Sequence, residues 1–325
     1  MFHYILRRIA ISIPLLFAIS FIAFMIIQMA PGNYFDQIRM NPQISEETVK
    51  NYEQKYHFDK NPVIQYGYWL INLAKLNLGY SFSQSASVWN VLKSRLLNTL
   101  LLSVSAMIFA WLLAIPMGVL CAVNRNKFLD RFFSGIAFIG LSIPNFFLAL
   151  LLLYMASRVG ILPVGGMISA KYEDLSLFGK ILDIGKHLIL PTVVLGTSAM
   201  AGLLRLSRGN MLEVLGSPFI TTARAKGLSE TRVIGVHALK NAVNPLITLF
   251  GYQLSGLLSG AALTEIICGW PGIGSIMLEA ARKQDLFLLM GNILLAGVLL
   301  IIGNLIADLI LAWIDPRIRY KGNVI

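Results

Sequence analysis

The chain has 325 residues, of which 56% are hydrophobic and only 13% charged, with a formal net charge of +11. Soluble proteins carry roughly 25% charged residues, so this composition excludes a water-soluble enzyme, a disordered chain and a fibrous protein, and so sparse a charge argues against nucleic-acid binding. Two cysteines without CxxC spacing exclude a disulfide scaffold and give no zinc motif.

A helix crossing the hydrocarbon core needs about 20 mainly apolar residues. In chain order the segments 9–30, 100–123, 132–157, 188–206, 246–268 and 287–314 qualify. The expected fold is therefore an all-α integral membrane protein of about six transmembrane helices. The apolar runs are continuous rather than alternating, which excludes a strand barrel. The first run follows Arg7-Arg8, but it is longer than a signal-peptide core of about 7–15 residues. Gln28-Met-Ala-Pro31 is also a poor cleavage site, so a retained span is expected.

Between the first two spans, residues 31–97 open with Pro31-Gly32 and continue through a polar stretch containing Glu46, Glu47, Lys50 and Glu53. Pro62 and an amphipathic stretch over 65–78 follow. This reads as an external cap of short helices, too small to hold a soluble ligand by itself. The basic residues set the orientation. With the N-terminus in the cytoplasm, 14 of the 27 Lys and Arg lie inside, against 6 outside once the long 31–97 loop is set apart. Both termini are then expected in the cytoplasm. Cys121 and Cys268 fall near opposite faces and are not expected to pair.

Pro144, followed by Asn145 and Phe146, predicts a kink in the third span, towards a pore or, as the preferred reading, for packing. The connection 207–245 predicts two helices on the cytoplasmic side. Ser217-Pro218 starts the first and Gly227 ends it in a left-handed conformation; Ser229 caps a second that runs to about Val243, before Pro245. It carries Arg224, Lys226, Arg232 and Lys240. On composition alone, a basic helix resting on anionic lipid and a protein-docking helix are level. The fifth span collects Gly251, Ser255, Gly256, Ser259 and Gly260, which suit close helix packing.

No catalytic centre is visible. The chain lacks GxxxxGK[ST], HExxH and GxSxG, and its histidines, His3, His57, His187 and His237, are scattered. Asp308, with Asn304 one turn earlier, is the carboxylate well inside a span. Such a group is a functional candidate by position, but one acid without a chain of partners makes a poor proton path, and a structural role is expected. Glu265 with Trp270, Pro271, Gly272 and Gly274 forms a candidate outer gate or docking turn, which helix termination explains equally well.

The loop residues Thr221-Thr-Ala-Arg-Ala-Lys-Gly227, then His237-Ala-Leu-Lys-Asn-Ala242 and Pro245, resemble the EAA loop of ABC-importer permeases, in the form of the dipeptide/oligopeptide/nickel branch. Further matches extend along nearly the whole chain. They include Pro31-Gly32, Gln65-Tyr66, Trp69-Leu70, Leu78-Gly-Tyr-Ser81, Ser142-Ile-Pro-Asn-Phe146, Gly160-Ile-Leu-Pro163, Trp270-Pro-Gly-Ile-Gly274 and Asp315-Pro-Arg-Ile-Arg-Tyr320. The loop before the second span and the Asp-Pro-Arg ending are similar to the B-type subunit. The general EAA pattern has Glu where this chain has Thr221, a change that the peptide/nickel branch shares.

This resemblance implies a single permease domain over 1–325, forming half of a translocation pathway for short peptides in a bacterial or archaeal cytoplasmic membrane. The alternatives on the same architecture are nickel, a metal chelate or glutathione. The implied partners are a homologous C-type permease, two ATP-binding subunits and an extracytoplasmic solute-binding protein, with surrounding lipid and no nucleic acid. No cofactor or metal is expected on this chain; ATP and Mg belong to the partner ATPases. The resemblance places Thr221, Thr222, Ala223, Arg224, Ala225, Lys226, Gly227, His237 and Asn241 at the ATPase-coupling loop. A channel or secondary transporter is the rival class. It would need ion-coupling residues at mid-membrane or a repeat with broken helices, and neither is seen in the sequence.

Overall fold

The computed structural model describes residues 2–39 and 45–314, without the side chains of 2–9, 37, 248, 251, 252, 254–260, 307, 308 and 310–314. Helix α1 (Phe2–Met29) leads to the short α2 (Tyr34–Arg39), α3 (Glu46–Lys55) and α4 (Pro62–Ala74). A two-stranded antiparallel hairpin, β1 (Tyr80–Ser81) and β2 (Ala86–Ser87), runs into α5 (Val88–Val123). Then come α6 (Phe128–Ser142), α7 (Asn145–Val159) and the long α8 (Leu177–Leu215). Beyond it lie α9 (Pro218–Ala225), α10 (Glu230–Arg232), a π-helical segment Val233–Ala238 and α11 (Leu239–Ala242). The chain continues through α12 (Asn244–Ile267), α13 (Ile273–Arg282) and α14 (Leu286–Ile314).

Among the described residues, α1, α5, α8 and α14 are long and apolar enough to cross a membrane, and α6 with α7 makes a fifth candidate. Helix α12 covers the remaining expected segment, 246–268, with 24 residues. Two expected spans are longer than their apolar runs. Lys93 and Arg95 interrupt hydropathy but favour helix, so α5 starts at Val88, where Val88, Val91 and Leu92 enter an apolar core. Likewise α8 begins eleven residues before the expected start, capped by the Ser176 hydroxyl, which accepts from the Gly179 amide at 3.3 Å.

The third expected span is not one kinked helix. Its two halves meet at 102°. Proline keeps the preceding residue out of the α region, and Ile143 is extended at φ −84°, ψ 120°. Helix α7 restarts with the Phe147 and Leu148 amides on the Pro144 carbonyl, both at 3.0 Å.

The chain forms two compact units. One comprises residues 2–99 and 271–301. Its core is aromatic: Phe24, Tyr66 and Trp69 join Leu92, Ile276, Phe287 and Leu288, and Phe35, Phe58 and Phe82 pack edge to face. Buried Asp285 caps α14, accepting the Leu288 amide at 3.2 Å. Its other oxygen accepts the Ser81 hydroxyl at 2.7 Å and the Ser83 amide at 2.8 Å, which pins the hairpin to the helix. The expected external loop is thus a set of short helices and a hairpin whose core is shared with α1, α5, α13 and α14.

The other unit holds residues 100–270 and those from 302 onward. Here α8 is the central element, packed against α5, α6, α7 and α12. Small residues permit close approach. A Cβ on Gly118 would lie 2.6 Å from the Ser207 side chain, and one on Gly196 3.0 Å from the Ala106 carbonyl oxygen. Cys121 and Cys268 are both buried and free.

Candidate functional site

The segment recognised in the sequence, 207–245, begins inside α8, which continues past residue 207 to Leu215 before the chain turns at Gly216. Ser217 is the N-cap residue of α9, with Pro218 in the first turn as expected. Its hydroxyl does not cap, however; it donates back to the Val214 carbonyl at 2.5 Å. Helix α9 buries a narrow face. Ile220 and Ala223, one turn apart, enter a cluster with Met211 of α8, Ala122 of α5, and Val233, Ala238 and Ala242 beyond the turn. Phe219, Thr221, Thr222, Arg224 and Ala225 are exposed.

The end of α9 is closed by a Schellman motif. The Gly227 amide donates to the Arg224 carbonyl at 2.9 Å, and the Leu228 amide reaches back to the Ala223 carbonyl at 3.4 Å. Leu228 and Ala223 share the same apolar cluster. Gly227 has φ +76°, while a Cβ there would meet nothing within 4 Å. The requirement for glycine is therefore backbone conformation, not space. Across the turn, Arg224 forks onto Glu230, at 2.7 Å from Nε and 3.3 Å from a terminal nitrogen. That hydrogen bond raises the Arg224 pKa further above its ordinary value. Two of the four expected cations are thus unlike: Arg224 is tied to an acid, whereas Lys226 is exposed at the turn.

The second expected helix has the predicted bounds but not the predicted winding. Six residues, Val233–Ala238, are π-helical. This wider winding is rare and occurs frequently at functional sites. His237 lies within it, and the Asn241 side-chain amide donates to the His237 carbonyl at 2.7 Å. Asn210 of α8 donates to the Ala242 carbonyl at 3.2 Å, fastening the end of the segment to α8. The structure thus brings Thr221 to Gly227, His237 and Asn241 into one exposed helical hairpin seated on the end of α8. An open depression of about 500 Å³ on it is lined by Gly216, Pro218, Thr221, Thr222 and Ala225.

A pair that the sequence reading missed ties α8, which carries this hairpin, to α6. Arg208 of α8 binds Asp130 of α6 through both guanidinium arms, Nε to Oδ1 at 2.6 Å and a terminal nitrogen to Oδ2 at 2.8 Å. The Asn126 amide donates to the same carboxylate at 2.9 Å, and Asp130 is 3% exposed. In the sequence Asp130 stands out only as one acid in a basic connection.

The second candidate constellation is divided between the two units, Glu265 and Trp270 in one and Pro271, Gly272 and Gly274 in the other. Glu265 and Trp270 are both buried, and the Trp270 amide donates to the Glu265 carbonyl at 2.8 Å. The Trp270 ring packs with Leu102, Met107 and Leu195. Pro271 accepts from the Asn98 amide group at 2.8 Å, and Gly272 precedes α13, in which Gly274 is buried. Asn304 lies in α14, partly buried; the side chain of Asp308 and the ending 315–320 lie outside the described residues. Among the described residues, no group of three or more His, Cys, Asp or Glu could hold a metal ion.

Comparison with known proteins agrees with this architecture. Residues 114–320 match the family described as binding-protein-dependent transport system inner membrane component, and residues 1–105 match its N-terminal companion. The chain is 39% identical over 319 residues to the oligopeptide transport system permease protein AppB of Bacillus subtilis, covering 98% of this chain and 99% of that one. It is 36% identical over 338 residues to the dipeptide transport system permease protein DppB of Escherichia coli K12, covering 99% and 100%. The di/tripeptide permease protein DppB of Pseudomonas aeruginosa is likewise 36% identical, with the same coverage. In fold, the chain is similar to a chain of the MetNI methionine ABC transporter solved in inward-facing conformations. The TM-score is 0.53 at 20% identity, over 69% of this chain and 96% of that chain.

Proposed function

The chain belongs to the binding-protein-dependent transport system inner membrane components, multi-pass proteins of the membrane, and on that premise we propose that it is one permease subunit of an ATP-driven importer of short peptides. The observation that carries the substrate class is relatedness along almost the entire length to permeases named for dipeptides and oligopeptides. Its working partners are a second, C-type permease, two ATP-binding subunits that hold ATP and Mg, and an extracytoplasmic solute-binding protein. Both termini face the cytoplasm, where the basic residues concentrate.

In this reading the exposed face of α9 enters a groove of an ATP-binding subunit. The geometry suits that role. A helix held at its far end by a left-handed glycine and on its inner face by Ile220 and Ala223 moves as a body with α8. The Asp130–Arg208 pair makes α6 follow α8, so that closure of the ATPases is delivered to two helices together. This chain supplies wall and lever, and bond chemistry stays with its partners.

The test is a tagged purification from the native host in mild detergent, identification of every co-purifying chain, and peptide uptake into proteoliposomes with ATP. A second permease with P-loop ATPases and ATP-dependent peptide uptake is the expected result. A chain that comes out alone and moves solute without ATP would overturn the proposal.

A further inference from the structure

Helix α4 was expected to belong to a solvated cap, yet its sequence from Pro62 to Ala74 holds no charged residue. One face is occupied. Gln65, Tyr66 and Trp69 are buried, with Leu70 and Leu73 partly so, in the core shared with Phe24 of α1. The opposite face is mostly open and apolar: Val63 is 59% exposed, Ile64 51% and Ile71 54%, while Tyr68, 40% exposed, has its ring stacked on His57 at 3.8 Å. Water is a poor neighbour for this patch, because exposed apolar surface is unfavourable in proportion to its area.

Where α4 sits along α1 identifies a better one. The Gln65 side chain accepts from Gln28 at 2.7 Å, one residue from the end of α1. The Tyr66 hydroxyl reaches much further. It hydrogen-bonds the Ser20 hydroxyl at 2.9 Å and the Phe17 carbonyl at 3.3 Å, with its ring edge-on to Phe21 and Phe24. At 1.5 Å per residue, Ser20 lies about 14 Å inside the Met29 end of α1, close to half the hydrocarbon thickness. Helix α4 therefore lies against the last turns of a membrane-crossing helix, below its end rather than above it. The adjoining end of α1 likewise exposes apolar side chains, Ile22, Ile26 and Met29. Lysines mark the two ends of α4: Lys60 just before it, paired with Asp59 at 3.0 Å, and Lys75 just after. Both are exposed.

We infer that α4 is an interfacial helix, its Val63–Ile64–Tyr68–Ile71 face seated in the acyl chains of the leaflet at the Met29 end of α1. Lys60 and Lys75 reach the lipid phosphates beside it. An apolar face with basic flanks, sunk about 5–10 Å into the headgroup boundary, is the chemistry of a membrane-surface helix, and tyrosine is favoured at that level. Among the described residues the face offers no ion pair; the polar groups near it are His57, stacked on Tyr68, and Asn72 at its rim. The helix would hold the short α2 and α3 and the hairpin at a fixed height on the membrane.

The test uses the full chain in its purified complex, reconstituted in phosphatidylcholine–phosphatidylglycerol vesicles. Single cysteines replace Ile64, Tyr68 or Ile71 one at a time, with Lys50→Cys on α3 as the aqueous control, and each carries an environment-sensitive fluorophore. These positions leave the buried face of α4 untouched. Blue-shifted emission that is quenched by doxyl-labelled lipid, and shielded from aqueous iodide relative to position 50, is the expected result at all three. Iodide quenching equal to that at position 50 would overturn the inference in favour of a solvated cap. Shielding from both quenchers would overturn it in favour of a protein neighbour.

Discussion

The guanidinium of Arg208 and the carboxylate of Asp130 face each other as two parallel hydrogen bonds of 2.6 and 2.8 Å, joining α8 to α6 seventy-eight positions earlier in the chain. The carboxylate is almost fully enclosed while the arginine keeps part of its surface open, 29% of its side chain. Removing the arginine alone therefore strands a buried anion. Arg208→Ala is expected to destabilise the protein by about 3 kcal/mol, read as a lower thermal midpoint in detergent. Adding Asp130→Ala should return part of that loss, because the stranded charge disappears with it. Arg208→Lys should fall between, since an ammonium cannot reproduce the fork.

Gly227 makes a separate prediction, because its φ of +76° is the whole reason for glycine there. Gly227→Ala should cost about 1–2 kcal/mol and lower ATP-driven uptake only partly, and Gly227→Asn should be milder still. Proline cannot reach this φ and would remove the amide that closes the Schellman motif. Gly227→Pro should abolish uptake while the chain still inserts in the membrane. Uptake and membrane content measured on the same preparations separate the two effects.

The two faces of α9 predict a pattern of crosslinking. Cysteines in place of Thr221, Thr222 or Ala225, which line the open depression, should crosslink to an ATP-binding subunit in the assembled complex. A cysteine in place of Ile220, which is fully buried, should not. Equal crosslinking from both faces would remove α9 from the contact.

Asp285 joins helix capping to hairpin anchoring. Asp285→Ala deletes the cap of α14 and leaves the Ser81 hydroxyl and Ser83 amide without their acceptor, at about 3 kcal/mol in sum. Asp285→Asn keeps one acceptor oxygen and should lose less. Thermal unfolding of the three proteins side by side orders them.

Much of this was legible in the chain because it depends on local rules. The start of α9 follows from Ser217-Pro218 and its end from Gly227, and both lie where those residues put them. The break before Asn145 was legible in place but not in size. Proline announces that a helix is interrupted, and nothing in an apolar run specifies the angle at which it resumes. The Asp130–Arg208 pair was illegible for a different reason. A contact between distant helices depends on the phase and tilt of both, and charge counting assigned each residue to orientation instead. Helix α4 was legible as a short helix, since its 13 uncharged residues are too few for a span. Its contacts with Ser20 and Phe17 were not, because they join segments 46 and 49 positions apart.

The π-helical segment Val233–Ala238 winds more residues into its turns than an α-helix would, which gives this part of the chain one residue of slack. Removing a single residue there could be absorbed by tightening to an α-helix, with Asn210 still beneath the Ala242 carbonyl. The same deletion within α9 would swing Ile220 and Ala223 away from their cluster. Length variation among related chains should therefore collect at this segment, where an insertion or deletion can be silent, and be absent from the eight residues of α9.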